Sequence, residues 1–224
     1  MGTISINQEN ELFWLGRYTE RVYTTLRLYA KYYDSMIDSD SIYQTFCQRM
    51  EIPDIYQSNE DFLKSYGYDE NNPDSLISNM IRGYNNAVIL REVIGSNALS
   101  YIQLAVYAMR RAAASEAPVL DLQKAGDNIL AFWGCCDDSI FEAAVRDFIK
   151  TGRRTERADL YVRMHYPLPQ MKEVLHRLTG YRLIRSGAGI DQDRLAYLEK
   201  CQDPEMTELD YNGIIRAVEG LFTL

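Results

Sequence analysis

Two six-residue segments carry the groups best suited to chemistry. Gly16-Arg17-Tyr18-Thr19-Glu20-Arg21 recurs 136 residues on as Gly152-Arg153-Arg154-Thr155-Glu156-Arg157, with five of the six positions the same. Each copy sets at least two guanidinium groups against one carboxylate. Planar guanidinium forks donate in pairs to carboxylate or phosphate oxygens, so surplus arginines suit an anionic, carboxylate-bearing ligand. Two other uses stay open at this point. Glu20 or Glu156 would serve as a general base with the arginines as electrophilic clamps, or the whole set would form a purely structural ionic lattice.

Helical geometry decides what surrounds these groups. At about 100° per residue, Arg17, Glu20, Arg21 and Thr24 share a helix face with Phe13, Trp14 and Leu28. In the second copy Arg153, Glu156 and Arg157 fall with Ile149, Leu160 and Met164. The opposite faces (Leu15, Val22, Leu26; Ala158, Val162) are apolar too, which predicts two helices buried on both sides. A buried Arg or Glu costs several kcal/mol unless paired, so each glutamate must accept from arginines of its own copy or of the other. The alignment extends outward, with Leu12 opposite Phe148, Leu26 opposite Val162, Arg27 opposite Arg163 and Leu28 opposite Met164. It predicts an all-α, multi-helix bundle with two pseudo-symmetric halves, each holding one Gly-Arg-x-Thr-Glu-Arg helix.

Apolar residues recur at three and four over most of the chain, and six prolines and 13 glycines punctuate it. The first helix is expected to follow Asn7 or Asn10 as its cap and run to about Ile37, with a break over Asp38–Ser41. Short helices and turns fit 42–72, where Pro53, Gly67 and Asn71-Asn72-Pro73 interrupt. Asn72 is expected to cap a helix opening at Pro73 and ending near Gly95, and the next ends near Ser115. Pro118 opens another helix reaching Cys136, and Asp137 or Asp138 caps the second motif helix, which reaches His165. Pro167 and Pro169 start the next, Ser186-Gly187-Ala188-Gly189 is a loop, and helices over about 191–201 and 205–222 finish the chain.

With 46% hydrophobic, 25% charged and 12% aromatic residues, the 224 residues have the balance of a globular protein, read as a single domain over 1–224. The net charge of -8 argues against nucleic acid as a partner. The longest apolar run, Ile129–Cys136, is too short to cross a bilayer, and no basic-then-apolar leader opens the chain, so no membrane partner and a cytoplasmic location are expected. Cys47, Cys135, Cys136 and Cys201 make no C-x-x-C pair and read as reduced thiols. His165 and His176 are separated by prolines, and only Glu173 precedes a histidine by three, so no metal or di-iron site is expected. Gln192 stands at the third glycine position of G-x-G-x-x-G, so the glycine-rich loop is not a phosphate cradle, and no cofactor is expected. The 17 tyrosines, clustered at Tyr29, Tyr32, Tyr33 and at Tyr66, Tyr68, suit either a docking surface or the rim of a core.

The segment Leu12-Phe13-Trp14-Leu15-Gly16-Arg17-Tyr18-Thr19-Glu20-Arg21 resembles the N-terminal signature of the bacterial alpha-E family. Asn72-Pro73-Asp74-Ser75-Leu76 with Asn86-Ala87 and Arg91-Glu92 is similar to its central block, and Gly152–Asp159 resembles its second element. Val88, Lys150 and Thr151 depart from the family pattern. The resemblance implies an all-helical cytoplasmic protein, encoded beside or fused to a circularly permuted ATP-grasp ligase, often with a transglutaminase-like peptidase nearby. By this analogy the chain works with an amide or peptide ligase and holds a carboxylate-bearing small molecule or peptide, or docks on the ligase. Arg17, Glu20, Arg21, Asn86, Arg91, Arg153, Glu156 and Arg157 are the ligand-binding candidates it carries over.

Overall fold

The structure, a computed structural model, describes residues 4–38, 42–116, 118–185 and 189–222. In chain order the helices are α1 (Ile6–Asp38), α2 (Ile42–Met50), α3 (Asn59–Ser65), α4 (Leu76–Ile89), α5 (Arg91–Ala112), α6 (Pro118–Ser139), α7 (Ala143–Arg163), α8 (Leu168–Thr179), α9 (Arg182–Arg185), α10 (Gln192–Lys200) and α11 (Tyr211–Glu219). Among the described residues the only extended pairing is an isolated bridge between Ile190 and Phe222. No described helix is long and apolar enough to cross a membrane.

Several helix boundaries differ from the expected ones, each for a local reason. Ser5 rather than Asn7 or Asn10 opens α1: its backbone N–H donates to Gln8 Oε1 and its Oγ accepts from the Gln8 N–H, a reciprocal cap. Asn72 forms a turn instead of a cap, with its Oδ1 accepting from the Asp74 N–H, and Ser75 caps α4 by accepting from the Ser78 N–H. The next break falls at Leu90 as well as at Gly95, whose φ of 84° kinks α5. Asp137 and Asp138 do not cap the second motif helix: α6 runs on through them to Ser139, and α7 starts after Glu142 with no side-chain cap. Residues 205–210 precede α11 instead of joining it, and the helix ends at Glu219 rather than near 222. Residues 39–41 of the expected break, Ser186–Ala188 of the expected loop, and the side chains of Tyr32 and Tyr33 lie outside the described residues.

Two apolar cores form. One gathers Leu12, Leu15, Val22, Met80, Ile102, Ile129 and Phe132 where α1, α4, α5 and α6 meet. The other gathers Val162, Leu175, Leu178, Leu198 and Ile214 from α7, α8, α10 and α11. Helix α7 serves both, giving Phe148 and Ile149 to the first and Ala158 and Val162 to the second.

Helices α1 and α7 cross with their backbones in contact. A Cβ on Gly16 would overlap the carbonyl oxygen of Ile149 and meet the Arg153 nitrogen at 3.0 Å. A Cβ on Gly152 would overlap the carbonyl oxygen of Phe13 and meet the Arg17 nitrogen at 3.1 Å. The contact is reciprocal, position for position, and glycine is what permits it. Close approach then brings the residues one turn beyond each glycine, Glu20 and Glu156, within reach of the other helix.

Candidate functional site

The two glutamates exchange partners across the crossing. Glu156 of α7 accepts from Arg17 Nε at 2.6 Å and Arg21 Nε at 2.5 Å, both on α1. Glu20 of α1 accepts from Arg157 of α7 through Nε at 2.6 Å and Nη2 at 2.9 Å, and from Thr24 Oγ1 at 2.8 Å. Both carboxylates are fully enclosed, at 0% exposure. Burial alone would raise the Glu156 carboxyl, but the charges of Arg17 and Arg21 outweigh it and hold it below the usual range. The same carboxylate raises the Arg21 guanidinium further above its ordinary value.

One arginine of the four is left over. Arg153 corresponds to Arg17 in the repeat, yet its Nε stops 3.7 Å from Glu20 Oε2, beyond hydrogen-bond range, and has no hydrogen-bond partner although it is buried. Its guanidinium lies over Trp133 of α6, with Cζ 3.4 Å from the ring centre. That indole is itself pinned, donating from Nε1 to Thr19 Oγ1 at 3.2 Å. Burial lowers the Arg153 guanidinium to about 10, and Glu20 only partly offsets this. A desolvated cation with a spare donor is costly, and an anion set against it would recover that cost.

Arg153 forms part of the wall of a cleft of about 260 Å³ between α7 and α8. Lys150, Arg154, Arg157 and Arg177 share that wall with one carboxylate, Asp137. Lys150 pairs with Asp137 at 2.6 Å and Arg177 with Glu173 at 2.6 Å. Arg154 donates to the Arg177 carbonyl at 2.7 Å, lies over the Tyr181 ring, and has no carboxylate partner among the described residues. Burial lowers its pKa as well. The cleft is therefore cationic beyond what its own acids balance.

Six of the eight sequence candidates meet here: Arg17, Glu20, Arg21, Arg153, Glu156 and Arg157. Asn86 and Arg91 do not. Asn86 ties α4 to α1 by donating to the Glu11 carbonyl at 3.3 Å, and exposed Arg91 reaches Ser96 at 3.3 Å. Lys150, Arg154, Arg177 and Trp133 were not singled out from sequence. The signal for two of them was available, since Lys150, two residues before the second motif, and Arg154, its third residue, differ from their counterparts Trp14 and Tyr18 in the first copy. Arg177 and Trp133 come from other helices and carry no such mark.

A general base must reach a substrate proton. Glu20 and Glu156 are enclosed and fully engaged by donors, the arrangement of lattice carboxylates. Among the described residues no three His, Cys, Asp or Glu side chains group as metal ligands. Cys136 is buried, and burial raises its thiol well above the ordinary value, as for an unreactive core cysteine. His165 stacks on Tyr211 at 4.2 Å while His176 faces Gln202, so the histidines serve different contacts.

Against this geometry stands one match. A family model for Alpha-E, described as a predicted alpha-helical domain with a conserved ER motif, covers residues 9–191. Glu-Arg occurs at 20–21 and 156–157, both within that span and both in the ionic crossing. No curated protein matches the chain, and no solved structure does.

Proposed function

The chain belongs to the Alpha-E family, and from that premise we propose that it is a binding domain for a small carboxylate-bearing ligand, which it holds in the cationic cleft beside the Arg–Glu crossing. The observation that carries this reading is Arg153, a part-buried guanidinium whose Nε is buried without a hydrogen-bond partner and which lines a cleft where cations outnumber acids. Guanidinium groups recognise carboxylates by paired hydrogen bonds, and Arg153, Arg154 and Arg177 supply such donors. A volume of about 260 Å³ suits an amino-acid-sized ligand or the carboxylate end of a peptide; drug-sized pockets begin near ~300 Å³.

The family resemblance adds the setting: a cytoplasmic partner of an ATP-grasp ligase, to which the domain presents the carboxylate that the ligase activates for amide formation. The whole of 1–224 is one domain in this reading. Its halves are the α1–α6 and α7–α11 sets, and the reciprocal glycine contact supports their equivalence. Arg17, Arg21, Arg157, Glu20 and Glu156 build the platform, and Arg153 does the binding.

Titration calorimetry at fixed ionic strength tests the binding step, using glutamate, succinate and N-acetyl-glutamate against succinamide, an uncharged isostere of succinate with no carboxylate. Saturable heat from a carboxylate, absent with succinamide and lost in a folded Arg153→Met variant, supports the reading. Equal behaviour of Arg153→Met and wild type, or no carboxylate response beyond that of matched chloride, overturns it. The ligase step is tested by adding the chain to an ATP-grasp amide ligase and measuring ATP-dependent product formation.

A further inference from the structure

A second cleft, of about 210 Å³, has the opposite chemistry and shares no wall residue with the first. Arg163 is its hub. It donates to Asp159 from Nε at 3.0 and 3.1 Å, to Glu219 from Nη2 at 2.5 Å, and it pairs through Nη1 with Glu51 at 2.8 Å. One guanidinium thus serves three carboxylates, and Asp74 adds a fourth to the wall. Arg21, the other cation there, is committed to Glu156. Negative charge is in excess.

Asn79 supplies an independent sign of a missing partner. It lines the same cleft at 2% exposure, and its Nδ2 donates to the carbonyls of Asp74 at 3.3 Å and Ser75 at 2.8 Å. Those two acceptors fix the orientation of the amide, because the oxygen cannot face both carbonyls. Oδ1 is then the acceptor left over, buried and without a hydrogen-bond partner. A buried acceptor among surplus carboxylates calls for a cationic donor.

We propose that this cleft, framed by Asn79, Asp74, Glu51, Glu219 and the Asp159–Arg163 pair, is a binding site for a primary ammonium group, such as a lysine side chain or a peptide amino terminus. An ammonium is a compact charge with three donors. It can serve the Asn79 oxygen and two carboxylates at once without displacing the planar fork of Arg163. Burial and the nearby Glu156 charge push the Asp159 carboxyl up to about 6, so an added cation would relieve strain already present in the site. The proposal stands apart from the carboxylate reading, because its ligand needs no carboxylate and touches none of the residues of the cationic cleft.

The test is binding of Nα-acetyl-lysine methylamide to the full chain, followed by nuclear magnetic resonance at pH 7.5 and fixed ionic strength. This probe has one ammonium and no carboxylate, and tetramethylammonium, a cation without donors, is the comparison. Expected are saturable shifts at the Asn79 side-chain amide and a response to tetramethylammonium at least about tenfold weaker, the loss of one good charged hydrogen bond. Asp74→Asn and Glu51→Gln should each weaken the probe several-fold. Glu51 is largely exposed, so its variant tests the site even if Asp74→Asn fails to fold. Arg153→Met should leave the probe's affinity unchanged. Absence of saturation, equal response to tetramethylammonium, or undiminished binding by Glu51→Gln overturns the proposal.

Discussion

Gly16 faces the carbonyl oxygen of Ile149 across the α1–α7 crossing with no room for a side chain, and Gly152 faces that of Phe13 in the same way. The ionic exchange depends on this approach. Gly16→Ala or Gly152→Ala must push two backbones apart, and overpacking of this kind costs at least ~1–3 kcal/mol. Gly134→Ala, within α6 where a Cβ meets nothing within 4 Å, should instead stabilise by ~0.5–1 kcal/mol through helix propensity. Urea denaturation of the three variants checks the contrast; equal losses at all three positions would refute a special role for the crossing.

The two buried glutamates should not be equal. Glu156 engages two arginines of α1, whereas Glu20 fully engages only Arg157 and leaves Arg153 at 3.7 Å. Removing one partner of a buried ion pair costs about 3–5 kcal/mol, because the remaining charge stays buried and uncompensated. Glu156→Gln should reach that range, and Glu20→Gln should fall below it. Chemical denaturation midpoints at pH 7 order the two, and the reverse order would count against the asymmetry.

Arg153 contributes a desolvated charge rather than a satisfied lattice contact. Arg153→Met removes the charge that lies over Trp133 and leaves an apolar side chain in its place, so stability should stay within about 1 kcal/mol of wild type or rise. Arg17→Met, which deprives Glu156 of a 2.6 Å partner, should cost several times more. A melting-temperature comparison separates these, and similar losses in both would make Arg153 an ordinary member of the lattice.

The repeat made the ionic cluster legible because Arg, Glu and apolar residues spaced at three and four fix a helix face. It did not say which helix each face meets. That the glutamates accept from the other copy follows from the glycine contact, whose meaning appears only when the two backbones meet. Trp133 and Arg177 were invisible for the same reason, being brought to the site by α6 and α8. The misplaced caps have a local cause. Asn72 is as good a turn former as a cap, and Ser75 satisfies the α4 N–H groups instead. Asp137 looks like a cap residue but remains in α6 and pairs with Lys150.

Asp159 gives the fold a distinctive pH dependence. Burial and the charge of Glu156 raise its carboxyl to about 6, against the favourable charges of Arg163 and Arg17, whereas an unfolded Asp titrates near ~3.9. Between these values the folded chain holds the proton that the unfolded chain has released. This group's contribution to stability is therefore present at the acidic end and is lost as pH rises from about 4 through 6. Asp159→Asn removes that slope while leaving Arg163 paired with Glu51 and Glu219. Relative to Asp159→Asn, wild type should thus be less stable at pH 7 than at pH 4.5. Denaturation curves of both proteins at the two pH values measure this. A difference that is flat or of opposite sign would mean that Arg163 dominates and that Asp159 is ionised throughout.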